Sequence, residues 1–315
     1  MYNSLEAIEV DTNEWIRLVR GAKHVTIFHK LKGVIGDALK IVLIDHGEPV
    51  LGIPLHRRRK YRLSYLDSWL TSLPYLGMAI FDQDLMRSIS RYSTVIKVLT
   101  EKLSRKAYVI RLSNPPYIGD IRPFIWAGWM YRVYYSYYTV PSRLRLEDMH
   151  RTKRKAIRKI MRSYGDKVEI RTIDPMVFRE EYRVFAERKG FIRRAGLDTL
   201  EKICIHRDNL LIKGLYMEDE LVAGELFLLD RENSIAYRMY AFTTGRAREK
   251  ELPSYLLYMI LKNDLVDYDR VVLQGAMDYN LALFVENYSH GLETYYNLLY
   301  CRTTLLRPFI ARIGF

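Results

Sequence analysis

Residues 210–233 read LLIKGLYMEDELVAGELFLLDREN: an apolar run, a charged turn at Glu218-Asp219-Glu220, then a second apolar run. Strand-forming residues on both sides of a short charged turn predict a β-hairpin. The first half of the chain repeats the pattern. Residues 41–59, IVLIDHGEPVLGIPLHRRR, turn at His46-Gly47-Glu48, and Gly52 and Gly224 hold matching places just inside the second strand. The later elements match in order as well. Helix-like stretches at 84–103 and 252–266 each precede a short strand, at 107–114 and 269–278. A second helical stretch comes next, and then an aromatic strand pair, at 128–140 and 291–305. Matching elements in one order predict an internal duplication rather than chance likeness between two α/β domains. Each copy is expected to be α/β, a mixed sheet of about six strands flanked by helices.

The totals agree with two domains. A chain of 315 residues exceeds what one core usually serves. The expected division is 1–143 and 144–302, with the basic, apolar piece 303–315 packing back on the first domain. At 49% hydrophobic residues the chain can fill its cores, yet no stretch approaches the roughly 18 apolar residues of a membrane span. The start, MYNSLEAIEV, lacks the basic and apolar regions of a signal peptide. Cys204 and Cys301 stand alone, which fits a reducing, cytoplasmic setting and no disulfide framework. The seven histidines show no metal-ligand spacing, so no metal is expected. Nor is there a nucleotide-binding glycine motif or a nucleophile elbow.

A net charge of +13 favours an anionic partner. Glutamine occurs only at 83 and 274 amid many charges, a thermophile-like composition that offers a ligand-free account of the same totals. The charge is densest at 151–165, RTKRKAIRKIMRSYG. Arg151, Lys153, Arg154, Lys155, Arg158, Lys159 and Arg162 surround an apolar stripe of Met149, Ala156, Ile157, Ile160, Met161 and Tyr164 at helical spacing, with Gly165 as the stop. The pattern predicts a helix docked by one face, whose cations meet an anion or simply water.

Three stretches carry a family resemblance: DTNEWIRLVRGAKHVTIFHK (11–30), YYTVPSRLRLEDMHRTKRKAIRKIMRSYGDKVEIR (137–171) and ELVAGELFLLDRENSIAYRMYAFTTGRAREKELPSYLLYMIL (220–261). Together with the duplicated element order, they resemble the Fem-type aminoacyltransferases and related acyltransferases. These are tandem members of the GNAT (Gcn5-related N-acetyltransferase) superfamily. The resemblance implies two tandem GNAT-like domains and transfer of an acyl or aminoacyl group to an amine-bearing acceptor. The donor would be acyl-CoA or aminoacyl-tRNA, used as a substrate rather than held as a cofactor. The chain departs from the family late in the second domain. Where a Phe-Lys…Phe-Gly segment is common, it reads FVENYSHG (284–291), with Val285 in the place of the lysine. That counts against a nucleotide-linked peptidoglycan acceptor.

The resemblance also marks FTTGRA (242–247) as the counterpart of the GNAT phosphate loop, with Phe242 in place of its usual first residue. Thr244, Gly245, Arg246, Ala247 and Arg248 would face the donor, since oriented N–H groups at a helix start hold anions. An ordinary solvated loop is the alternative. Amide formation needs a base and help for the oxyanion. Asp278, at the end of a predicted strand, would serve the acceptor amine or else cap the next helix. Glu225, an acid in an apolar strand, would have a raised pKa if buried. Tyr240 and Tyr237 would donate to the leaving atom or pack. Asp82 and Tyr75, in SLPYLGMAIFDQD (72–84), resemble the family loop that approaches the acceptor. His290 lies near the expected site, where strands 235–242 and 271–278 part, facing the first unit. Attack by the amine would be direct, since no cysteine or serine is set up as a nucleophile. The rival reading is a non-catalytic nucleic-acid-binding protein on a degenerate GNAT-like fold.

Overall fold

The computed structural model describes residues 4–20, 22, 24–60, 63–68, 73–164, 167–192, 196–303 and 307–308. The chain divides into two units, Met1–Tyr134 with Thr294–Phe315, and Tyr135–Glu293.

In unit 1 the strands are β1 (Glu6–Val10), β2 (Leu39–Asp45), β3 (Glu48–Lys60), β4 (Leu63–Asp67), β5 (Ala79–Ile80) and β6 (Val109–Ser113). Its helices are α1 (Thr12–Arg20), α2 (Lys32–Ile35), α3 (Ile89–Ser104) and α4 (Arg122–Trp126). The β2–β3 hairpin forms as expected. Its turn residues His46 and Gly47 take φ of 52° and 84°, the left-handed pair that suits a two-residue hairpin. Ser88 caps α3 by accepting the Arg91 N–H, and Tyr92, Val95, Ile96, Leu99 and Leu103 form its buried stripe.

Unit 2 repeats the plan. Its strands are β7 (Met130–Thr139, from its sixth residue on), β8 (Val168–Thr172), β9 (Leu210–Met217), β10 (Glu220–Asp230), β11 (Ile235–Thr243) and β12 (Arg270–Gln274). Its helices are α5 (Arg151–Ser163), α6 (Pro175–Arg188), α7 (Leu197–Cys204), α8 (Gly245–Glu249), α9 (Leu252–Met259, continued by a π-helical turn, Ile260–Asp264) and α10 (Tyr279–Val285). The last strand of the chain is β13 (Gly291–Cys301).

The two sheets match strand for strand. Unit 1 runs β1-β2-β3-β4-β6-β13, and unit 2 runs β8-β9-β10-β11-β12-β7. In each, the third and fourth strands are antiparallel, the fourth and fifth (β4 with β6, β11 with β12) parallel, and the fifth and sixth antiparallel. One feature escaped the sequence. The aromatic segments are single strands, and each serves the sheet of the other half: Tyr137–Thr139 of β7 pair with β12, and Asn297–Cys301 of β13 pair with β6.

Helix α5 buries Ile157 and Ile160, with Met149 buried just before it. Met161, assigned to the apolar stripe, is instead exposed. The expected stop at Gly165 and nearly all of 304–315 lie outside the described residues. Among the described residues no helix is long and apolar enough to cross a membrane.

Candidate active site

In unit 2, β11 and β12 run side by side only for Ile235↔Arg270, Ala236↔Val271 and Tyr237↔Val272. From Arg238 onward β11 stays with β10, while Gln274 at the end of β12 pairs with Tyr137 on β7. The strands therefore part at their carboxyl ends, where open α/β sheets place ligands. A bulge marks the same point. Leu226 faces Tyr240 and Phe227 faces Arg238, so Met239 is an extra residue left out of the ladder. Gln274 has φ of 56°, unusual for a non-glycine residue and a form of strain that gathers at functional sites. Its Nε2 reaches the Met239 sulfur at 3.5 Å, across the opening. Gly275 follows at φ 77°, and a Cβ there would meet Leu281 Cγ at 2.6 Å, so glycine is required for α10 to close on the strand end.

Beside the opening lies a buried ionic pair. Arg238 donates from Nε and Nη2 to the two oxygens of Glu225, both at 2.7 Å. Their side chains are only 8% and 3% exposed. Burial pushes the Glu225 carboxyl above its ordinary value, against the pull of the Arg238 guanidinium. With both oxygens engaged, Glu225 holds Arg238 rather than standing free for an amine proton. The Arg238 guanidinium lies 5.6 Å from the centre of the Phe284 ring on α10, and Lys153 Nζ approaches the same ring at 5.7 Å. Lys153 also binds Glu251 Oε2 at 2.5 Å and Ser254 Oγ at 3.3 Å. Tyr288 Oη donates to the Ser254 carbonyl at 2.9 Å, and burial pushes its phenol well up.

Lys153 lines a cleft of about 760 Å³ with Arg145, His150, Glu286, Asn287 and His290, among others. Both histidines are tied back to the chain at Nδ1. His290 accepts the Val140 N–H at 3.2 Å, and His150 accepts that of Thr152 at 3.4 Å. A backbone N–H can only donate, so each neutral ring carries its proton on Nε2 and offers a donor.

The residues picked from the sequence are only partly gathered here. Asp278 Oδ1 accepts the Leu281 N–H at 2.9 Å, so the geometry shows the helix cap that was the alternative to a base. Tyr240 donates to the Gly196 carbonyl at 3.3 Å and meets Tyr182 edge-on at 5.1 Å. Tyr237 is buried, and burial drives its phenol far up. In unit 1, Asp82 is ion-paired with Arg91, and Tyr75 is enclosed against Tyr295.

The phosphate-loop residues form a short helix, α8, in which some of the donors are in use. Thr244 Oγ1 accepts the Ala247 N–H, and Arg246 is tied to Glu218 at 2.7 Å and Glu220 at 3.2 Å. Gly245 and Arg248 are exposed. On α5, Lys153 turns inward, Arg154 donates to the Glu147 carbonyl, and Arg158 pairs with the Glu147 carboxylate. Arg151, Lys155 and Lys159 are exposed, with no ion-pair partner among the described residues. Also among these, no group of three metal-ligating side chains occurs. Sequence reasoning missed Arg238 and the strained Gln274. A cation in the strand facing Glu225 was the available signal.

Two copies of one mixed sheet, each with parting parallel strands, make this a tandem GNAT fold. Among solved structures, FemX superposes with a TM-score of 0.63 over 98% of this chain and 99% of that one, at 13% identity. The C-terminal domain of a putative lysylphosphatidylglycerol synthetase from Agrobacterium fabrum gives 0.59 at 9% identity, covering 95% of each chain. A tandem GNAT protein from the clavulanic acid biosynthesis pathway gives 0.56 at 10%, covering 95% of this chain and 99% of its own. Identities this low establish a shared fold. No family model and no curated protein matches the sequence.

Proposed function

We propose that unit 2 transfers an aminoacyl group from an aminoacyl-tRNA ester to the amino group of an acceptor. The observation that carries the reading is the bulged, strained opening between β11 and β12, with a buried cation beside it. An unpaired bulge residue supplies a backbone group for a donor carbonyl, and a cation favours the charge that develops on its oxygen. The amine nitrogen would attack the carbonyl carbon to form the new C–N bond. The tetrahedral oxyanion would then re-form C=O and break the bond to the ribose oxygen, which takes the proton the amine loses. No covalent enzyme intermediate is required.

The choice of tRNA over acyl-CoA rests on the segment after β11. A CoA pyrophosphate needs free N–H groups at a helix start. Here the Ala247 N–H is taken by Thr244, which leaves α8 only its first two N–H groups, and Pro253 at the start of α9 has no N–H. Glu251, at φ 59°, already sets a carboxylate there, bonded to Ser254 and Lys153. The exposed Arg151, Lys155 and Lys159 suit a phosphodiester chain instead. The likeness to a putative lysylphosphatidylglycerol synthetase, a name that joins a lysyl group to a lipid, supports an aminoacyl group as the cargo.

The test incubates the whole chain with labelled aminoacyl-tRNA or labelled acetyl-CoA and hydroxylamine as a generic acceptor amine. Aminoacyl hydroxamate formed above the protein-free rate supports the proposal; acetyl transfer alone would redirect the donor to CoA. The second reading, a nucleic-acid binder without activity, rests on the cationic face of α5. It predicts no transfer from either donor, and equal binding of charged and uncharged tRNA that fades with salt.

A further inference from the structure

We infer that Arg238 is the catalytic cation of this site, with Glu225 as its positioning residue. The inference rests on the transferase reading and adds to it the group that meets the oxyanion. Four observations converge on this side chain. First, Arg238 is the residue of β11 immediately past its last pairing with β12, and it adjoins the bulged Met239. It therefore stands where the sheet opens. Second, its guanidinium is fixed along one edge, because Nε and Nη2 are both spent on Glu225. Nη1 makes no hydrogen bond among the described residues. A guanidinium carries five N–H donors, so the free edge keeps its full donating capacity.

Third, the group packed against it is the Phe284 ring at 5.6 Å. An aromatic face attracts a cation without consuming its N–H groups, so it steadies the charge and leaves the donors available. Fourth, α10 supplies no cation of its own here, since Val285 is wholly buried in the core of unit 2. Lys153, the other cation against Phe284, is engaged by Glu251. A buried ion pair is seldom the most stable filling for a core, and apolar residues of similar volume usually serve as well. A pair retained beside an opening, with one edge unspent, is suited to meeting charge that appears during a reaction. When the amine adds to the ester carbonyl, the C=O π pair moves onto oxygen, and the Nη1 edge donates to it. When the ribose oxygen leaves, that charge is withdrawn.

The experiment measures transfer from labelled aminoacyl-tRNA to hydroxylamine by the full chain, with kcat and KM for tRNA determined separately and thermal midpoints recorded. The variants are Arg238→Lys, Glu225→Gln and the neutral pair Glu225→Gln/Arg238→Met. The neutral pair leaves no buried charge unpaired, so it separates folding from catalysis. It should keep a midpoint near wild type and the wild-type KM, while kcat falls on the order of 10²–10³-fold, the usual loss when an oxyanion donor is removed. Arg238→Lys keeps a charge opposite Glu225 and should retain an intermediate rate. Glu225→Gln should lower kcat less than loss of the arginine does. A neutral pair with kcat within a few-fold of wild type, or an Arg238→Lys variant as slow as that pair, overturns the assignment. If the wild-type chain transfers nothing to any amine, the transferase reading itself falls.

Discussion

Acid should destabilise unit 1 through one histidine. His29 is fully buried, Nδ1 accepts the Thr26 N–H at 3.1 Å, and Nε2–H donates to the Gly77 carbonyl, also at 3.1 Å. Only the neutral ring satisfies both bonds, since a protonated Nδ1 would face a donor. Burial drives its pKa from 6.5 down to about 4. The unfolded chain therefore takes the proton more readily than the folded one. The stabilisation is complete above pH 6.5 and is lost as the pH falls through the window from 6.5 to about 4. At 1.36 kcal/mol per pH unit that window is worth on the order of 3 kcal/mol, more than half of which should be gone at pH 5. A loss of that size is a large share of a typical domain's 5–15 kcal/mol. Tryptophan fluorescence is a selective reporter, because Trp15, Trp69, Trp126 and Trp129 all belong to unit 1. Urea titrations at pH 7 and pH 5 should show a larger drop for wild type than for His29→Gln, which stays neutral throughout. Equal drops in the two proteins would refute the reasoning.

Two glycines should differ in how much they tolerate a methyl group. A Cβ on Gly77 would meet the Ser113 carbonyl oxygen at 2.6 Å, so backbone must move; on Gly224 it meets the Phe242 ring, with Cζ at 2.8 Å. Gly224→Ala should cost about 1–3 kcal/mol in thermal unfolding and Gly77→Ala more, and the reverse order would contradict the packing argument. Asp278→Ala should lower stability by about 1 kcal/mol while Asp278→Asn, which still caps, changes little. Neither should abolish transfer, and a dead Asp278→Asn would restore the catalytic role read from the sequence. Replacing Arg151, Lys155 and Lys159 together by Gln should shrink the slope of log affinity for tRNA against log salt by roughly 2 to 3. An unchanged slope would move the tRNA surface elsewhere.

The duplication was legible because it is written in local patterns. Two apolar runs around a short turn announce a hairpin, and Gly52 and Gly224 each lie under aromatic rings: Trp15 and Phe81 in one, Phe242 in the other. Partner choice over long range was not legible. Nothing in the β7 or β13 segment says which sheet it joins, since an aromatic strand satisfies either edge. Glu225 stood out as an acid among apolar residues. Its partner did not, because the bulge at Met239 shifts the register by one residue and brings Arg238 to it diagonally. The loop at 242–247 is legible only in part for a similar reason. Its composition resembles an anion cradle, and only the fold shows that Thr244 takes the Ala247 N–H and Glu218 the Arg246 side chain.

The same parting of strands exists in both units, and the two are bordered differently. In unit 1, β4 and β6 pair in parallel for Tyr65↔Val109, Leu66↔Ile110 and Asp67↔Arg111, as β11 and β12 do. Beyond that point the chain closes over itself. Ser68 bonds back to the Arg111 carbonyl, Ser113 Oγ donates to the Pro74 carbonyl, and Asn114 Oδ1 accepts the Met78 N–H. Leu73, Tyr75, Leu76 and Met78 are buried there, and Gly77 lies against the backbone of Ser113 and Asn114. Where backbone presses on backbone there is no volume for a carbonyl and its attacking amine. Among the described residues, the equivalent place in unit 2 is crossed by the long contact from Gln274 to Met239 and is bordered by a cation with unspent donors. A duplicated fold needs just one working opening. In this chain the first copy has turned its own into core, which on the transferase reading leaves chemistry to the second.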